Sequence, residues 1–406
     1  MVLIKRIKGG VCSAKGFRAA GVAAGIKYKD RADVALLVAD APCAAAAVFT
    51  TNKVAAAPVM YDRKVVKAGR IQAIVANSGC ANACTGERGM LDAERTAEAV
   101  AETLGIDPKL VLVASTGVIG HPLPMDRLIS GIGAANKALG KSSEHGLAAA
   151  KAIMTTDTKP KQAAVTTTID GKKVTVAGMC KGSGMIEPNL ATMLGFITTD
   201  AAVSPAMLRR ALALAVAKSF NRLVVDGDES TNDSVFLLAS GEAKNAPITH
   251  GGASFEALRA ALEDVCISLT RQMAADGEGA TKFVTVTVKG AKSEKDAARA
   301  ARAIAKSPLA KTSWFGRDPN WGRVLAAVGY SGSEVSDSLA EVFYDRVWAY
   351  KKGKVADAKQ LAKLAKVLEK PSFEVIVDLH LGSGESSIYT CDFSLDYVHI
   401  NADYTT

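Results

Sequence analysis

The chain has 406 residues, is 49% apolar but only 5% aromatic, and carries a net charge of +9. A chain this long buries a large core and is expected to form two or more substructures. No apolar run reaches the ~20 residues of a membrane span and no secretory leader opens the chain, so no membrane partner and a cytoplasmic location are expected.

Strand-like runs are read, in order, at 35–39, 46–50, 71–76, 111–115 and 173–177, then at 234–239, 283–288, 373–380 and 387–393. The last two flank Leu381-Gly-Ser-Gly-Glu385 and read as a hairpin. Helical periodicity covers 92–104, 125–139, 144–154, 205–218, 255–274, 294–306 and about 356–368. Ser204-Pro205 supplies an N-cap and a first-turn proline, and Asp276-Gly-Glu-Gly279 a glycine exit. Strands and helices mix without regular βα alternation, which predicts an α+β layered architecture rather than a doubly wound sheet. A smaller C-terminal α/β subdomain is expected at about 285–398.

Seven scattered cysteines make no disulfide framework, and Cys80 and Cys84 have no second ligand pair nearby, so no metal is expected. The basic excess at 292–370 reads as a solvated helix face. It lacks aromatic interleaving, so nucleic acid is not expected as a partner. Asp226-Gly-Asp-Glu-Ser-Thr-Asn-Asp233 lacks the spacing of a calcium loop and reads as a polar loop near the site.

The most informative run is Lys181-Gly-Ser-Gly-Met-Ile-Glu-Pro-Asn-Leu-Ala-Thr-Met193. Read plainly, it is a glycine-rich turn feeding a buried strand. Read chemically, it is a self-cleaving bond between Ala191 and Thr192. A threonine hydroxyl needs a base, and the α-amine freed by such a cut supplies one. None of the five histidines sits in a recognisable triad setting, which favours a base of this kind. Ser115-Thr116-Gly117 follows a strand and can present a hydroxyl and a backbone N–H together, as an oxyanion hole requires. Lys181 can hold a substrate carboxylate, and Glu278, on a glycine-flanked turn, can hold an ammonium.

Together these pieces resemble one family, the ornithine acetyltransferases, also called glutamate N-acetyltransferases. The resemblance is carried by Gly16-Phe-Arg18, Phe49-Thr-Thr-Asn-Lys53, Asn77-Ser-Gly-Cys-Ala-Asn-Ala83, Ser115-Thr-Gly117, Met154-Thr-Thr-Asp-Thr158 and Lys181-Gly-Ser-Gly-Met185. It continues through Leu190-Ala-Thr-Met-Leu194, Asp226-Gly-Asp228, Asp276-Gly-Glu278, Asp318-Pro-Asn-Trp-Gly-Arg323 and the terminal Asn401 to Thr406.

The resemblance implies a layered α/β/β/α sandwich of the self-processing N-terminal-nucleophile kind, cut into chains 1–191 and 192–406. It implies Thr192 as nucleophile and Thr116 and Gly117 as the oxyanion hole. Thr155, Lys181, Thr192, Glu278, Asn401 and Thr406 take the substrate-contacting positions, with Thr156 and Thr158 as alternatives to Thr155. The implied substrates are N2-acetylornithine and glutamate in arginine biosynthesis, and the implied assembly is a heterotetramer of two chains of each kind. No cofactor is required, and acetyl-CoA is a candidate second donor. The competing readings are an N-terminal-nucleophile hydrolase or aminopeptidase of related architecture, and a non-catalytic amino-acid-binding protein that stays uncut.

Overall fold

The computed structural model describes residues 3–187 and 193–403. Ala191, Thr192 and Thr406 lie outside the described residues. In chain order the first part holds β1 (Lys5–Ile7), β2 (Phe17–Val22), β3 (Val34–Phe49), α1 (Ala57–Val65), β4 (Arg70–Cys80), α2 (Gly86–Leu104), β5 (Val111–Val118), α3 (Met125–Lys137) and α4 (Ser143–Ala152). It continues with β6 (Lys161–Ile169), β7 (Lys172–Lys181), β8 (Leu194–Thr199), α5 (Pro205–Ala217), β9 (Ser234–Ala239) and α6 (Ala253–Ala275). The remainder comprises β10 (Phe283–Ala291), α7 (Glu294–Lys306), α8 (Pro308–Phe315), α9 (Trp321–Gly329), β11 (Glu341–Tyr344) and β12 (Val347–Lys351). The last elements are β13 (Lys354–Val355), α10 (Ala358–Glu369), β14 (Ser372–Asp378), β15 (Gly384–Cys391) and α11 (Leu395–Asp403).

The strands before β10 form one hydrogen-bonded sheet in the order β1-β6-β7-β8-β9-β3-β4-β5, with β2 also on β3. The 16-residue β3 joins its two leaves. Residues 34–38 pair with β2 and β4, the register shifts between Val38 and Cys43, and residues 44–49 pair with β9. Such an irregularity bends a strand and lets one sheet fold over itself.

Period-two alternation then sorts the apolar side chains into layers. Leu37, Ile74 and Leu112 of one leaf meet Phe196, Phe236 and Leu238 of the other. Their neighbours Leu36, Val75 and Val113 face outward onto Val100 of α2 and Ile132 of α3. On the opposite outer face Val176, Ile197 and Leu237 receive Leu212 of α5 and Leu262 and Leu269 of α6. The result is the expected four layers, helix–sheet–sheet–helix. Helix α5 starts where expected, with Ser204 Oγ accepting from Met207 N and Pro205 in the first turn.

The second sheet runs β13-β12-β11-β14-β10-β15. Val284, Val286 and Val288 of β10 and Val375 and Val377 of β14 pack under Ala297, Ala300, Ala301 and Ile304 of α7. These small residues repeat at helical spacing and let the helix approach closely. The expected hairpin of 373–380 with 387–393 does not form. Strand β10 lies between β14 and β15, parallel to the first and antiparallel to the second. The short loop between β14 and β15 therefore spans a strand position instead of turning back on a neighbour. The runs expected at 35–39 and 46–50 are the two arms of the single strand β3.

Among the described residues, no helix is long and apolar enough to cross a membrane, and no cluster of side chains could hold a metal ion. The seven cysteines are free, Cys80 buried and Cys84 exposed.

Candidate active site

A cleft of about 700 Å³ gathers residues from distant parts of the chain: Thr116 and Gly117, Thr155 and Thr156, Lys181 and Gly184, Ser230 to Asn232, Glu278 and Asn401. Six of the positions named from the sequence, Thr116, Gly117, Thr155, Lys181, Glu278 and Asn401, thus line one space. The structure brings Thr156 into the same cleft as Thr155, whereas Thr158 turns away and bonds the Asp276 carboxylate. The Asp318-to-Arg323 motif is not among the lining residues. It caps α9 through Asn320 and stacks Trp321 on Tyr350 with ring centroids 4.4 Å apart.

The Thr116–Gly117 corner is shaped by close backbone contact. Gly117 has φ of +132° and pairs with Gly79 on β4. A Cβ there would lie 2.4 Å from the Gly79 carbonyl carbon and 2.6 Å from Cys80 N, so only glycine fits. Ser115 Oγ donates to Asn77 Oδ1 (2.7 Å), and Asn77 Nδ2 donates to Cys80 O (2.9 Å). Asn232 closes the corner from the other side. Its Nδ2 donates to Ala81 O (2.6 Å) and Ser115 O (2.9 Å), while its Oδ1 accepts from Thr231 Oγ1 (2.6 Å). A fully partnered buried amide is a rigid clamp.

Lys181 ends β7 and pairs with Leu194, just beyond Thr192 in the chain. On the following strand register, Ser234 N donates to Met193 O (2.9 Å). On the other side of the undescribed stretch, Asp226 accepts from Met185 N (2.6 Å) and Ile186 N (2.8 Å). Glu187 pairs with Arg302 (3.2 Å) and Lys306 (2.5 Å) of α7. Residues 185–187 and 193–194 are therefore fixed to the body of the protein.

Glu278 is buried, its N–H donating to Ser183 O (2.9 Å) and its Oε2 accepting from Asn401 Nδ2 (2.8 Å). Lys181 and Glu278 give the cleft a cationic and an anionic pole, the charge pattern that complements an α-amino-acid head.

Behind these poles lies an ion triad that sequence reasoning missed. Lys161 is 1% exposed and its Nζ donates to Asp157 Oδ1 and Asp276 Oδ2, each at 2.6 Å. Burial alone would raise the Asp157 carboxyl. The charges of Lys181 and Lys161, with the bonds from Lys161 and Gly182, outweigh it and hold the group down to about 2. Burial opposes the Lys161 ammonium, and the two carboxylates more than offset it. Asp157 and Asp276 stood inside runs quoted from the sequence. Nothing in the run Lys161-Gln-Ala-Ala-Val165 distinguishes a buried lysine from an ordinary residue at the start of a strand. Asp233 is a further buried carboxyl, pushed well up by burial, lining a smaller adjoining cavity with Thr116, Lys181 and Met193. Among the described residues its Oδ2 has no hydrogen-bond partner.

The model of the ArgJ family matches residues 18–406. A relative named arginine biosynthesis bifunctional protein ArgJ, from Geobacter sulfurreducens, is 52% identical over 392 residues, covering 97% of this chain and 99% of its own. The chain belongs to the ArgJ family. The protein of the same name from Symbiobacterium thermophilum is 52% identical over 402 residues, covering 98% of this chain and 99% of its own. Among solved structures, the ornithine acetyltransferase of Mycobacterium tuberculosis complexed with ornithine is 45% identical. It matches along its entire chain and 47% of this one, with a TM-score of 0.44.

Proposed function

We infer that this ArgJ-family chain transfers the acetyl group of N2-acetylornithine to glutamate, giving ornithine and N-acetylglutamate in arginine biosynthesis. The observation that carries this is the single cleft where Thr116, Gly117, Thr155, Lys181, Glu278 and Asn401 meet, in a chain whose relatives over its full length bear an arginine-biosynthesis name.

The proposed reaction is a double displacement. A cut between Ala191 and Thr192 frees the Thr192 α-amine, whose ordinary pKa of about 7.7–8.0 leaves a neutral fraction near pH 7. That amine takes the Thr192 Oγ proton as Oγ attacks the acetyl carbonyl. Thr116 and the Gly117 N–H stabilise the tetrahedral oxyanion. Collapse breaks the C–N bond, the amine returns the proton to the departing nitrogen of ornithine, and an acetyl ester stays on Thr192. Glutamate enters the same cleft, its carboxylate toward Lys181 and its amine toward the ester, and the steps reverse. Departing ornithine and arriving glutamate share a zwitterionic α-amino-acid head, so one pair of poles serves both; N2-acetylornithine, whose α-nitrogen is an uncharged amide, meets Lys181 through its carboxylate. Asn401 steadies Glu278, and Thr406 completes the substrate contacts in this reading.

We further propose that the two chains remain associated as a heterotetramer in the cytoplasm, and that acetyl-CoA serves as a second donor to the same threonine. The double displacement is tested by isotope exchange. Labelled ornithine should enter N2-acetylornithine in the absence of glutamate; no exchange would remove the acetyl-enzyme. Release of free acetate at the same rate with and without glutamate would favour a hydrolase instead. N-acetylglutamate formation from acetyl-CoA and glutamate tests the second donor, and its absence would remove that part.

A further inference from the structure

Three separate chain segments supply the polar side of the cleft, and one ammonium ties all three together. The Thr155–Thr156 segment is held because Thr155 N donates to Asp157 Oδ2 (3.1 Å). The Lys181–Gly184 segment is held because Gly182 N donates to Asp157 Oδ1 (2.8 Å), the same oxygen that accepts from Lys161 Nζ. The Glu278 turn is held through Asp276, which accepts from Lys161 Nζ and from the N–H groups of Thr158 (3.1 Å) and Lys159 (3.3 Å). Ser183 Oγ then donates to Asp276 O (2.8 Å), and Glu278 N to Ser183 O, closing the ring.

We propose that Lys161 is a positioning residue that sets the spacing between the cationic and anionic poles of the cleft, and so determines affinity for the amino-acid head. The proposal deepens the reading of this cleft as the substrate site and rests on it. Stability alone gives little reason for such a triad, because replacing buried ions by apolar groups is commonly neutral or stabilising. Geometry gives a better one. Among the described residues Lys161 Nζ bonds neither pole, yet the bonds that orient Thr155 and Gly182 end on the Asp157 carboxylate, and those that fix Asp276, two residues before Glu278, end on the Asp276 carboxylate. Without the ammonium, Asp157 and Asp276 would repel each other, and Asp157 would draw on Lys181 as its remaining cation.

The test is Lys161→Met, with ornithine binding followed by calorimetry and acetyl transfer by steady-state kinetics. Kd for ornithine and KM for glutamate should rise about tenfold or more while kcat falls less than about threefold. A merely structural lysine would lower the active fraction, and hence kcat, and leave Kd and KM in place; that result overturns the proposal. Should Lys161→Met not fold, Thr158→Val removes the hydroxyl bond to Asp276 without touching a charge. It should raise Kd about threefold, and an unchanged Kd there also overturns it. If the unaltered protein binds no ornithine, the substrate reading falls first and the proposal with it.

Discussion

Gly184 offers a clean way to move one pole of the cleft without touching its charge. A Cβ added at Gly184 would lie 2.3 Å from both Cδ and Oε2 of Glu278. An ordinary contact needs ~3.5 Å, so Gly184→Ala must drive the Glu278 carboxylate back by roughly 1 Å. The carboxylate is the far end of a flexible side chain, and Glu278 N keeps its bond to Ser183 O, so the fold should tolerate the change. The Asn401 bond at 2.8 Å and the contact to a substrate ammonium should be lost together. A charge-assisted bond is worth about 1.5–3 kcal/mol, which converts to about 10- to 150-fold in affinity. The expected variant is self-cleaved, melts within a few degrees of the parent, and has KM for glutamate raised by that factor. Steady-state kinetics with each substrate varied, beside a thermal melt, reads all of this. Unchanged KM in a folded, cleaved Gly184→Ala protein would refute the assignment of Glu278 to the ligand.

Gly117→Ala meets backbone rather than side chain, so strain and crowding should cost about 2–5 kcal/mol of stability and destroy the oxyanion corner; Thr116→Ala should instead fold normally and lose about 100- to 1000-fold in kcat. Asn232→Ala strips partners from two buried carbonyls and should lower stability by about 2–4 kcal/mol, read by denaturant unfolding. The folded-state carboxyl of Asp157 is depressed, so its contribution is present above the ordinary carboxylate pKa and is lost as pH falls through about 2. Asp157→Asn should therefore flatten the acid limb of the stability curve between about pH 4 and 2. Asp233 carries the opposite sign: its folded pKa is raised, so stability drains away as pH rises above the ordinary carboxylate value. Melting temperatures of Asp233→Asn between about pH 5 and 8 should vary less than those of the parent.

The long helices were legible because their apolar residues recur at 3.6-residue spacing, as in α7, and the start of α5 was legible from its serine cap and proline. The layers were implied by resemblance, but the bend in β3 was not written locally, since a register shift depends on which strands pair on either side. The missing hairpin has the same origin. Nothing within 373–393 says that β10, far earlier in the chain, takes the place between β14 and β15. The short strands β11 to β13 carry charged residues and escaped periodicity altogether. In the cleft, the residues with a direct chemical task stood out as motifs. Some side chains that hold them, Asp157 and Asp276 among them, lay inside those motifs without showing their role, and Lys161 lay outside them. Lys161 and Asn232 each complete their bonding through a partner more than a hundred residues away, Asp276 for the first and Ala81 for the second.

The central claim is that Thr192, as a new N-terminus, carries the acetyl group. It is tested most directly by intact mass and N-terminal sequencing of the denatured protein, before and after mixing with N2-acetylornithine. The account predicts two chains, one beginning Thr192-Met-Leu-Gly and gaining one acetyl group, about 42 Da, that disappears when glutamate is added. A single uncut chain that takes up no acetyl group would contradict it.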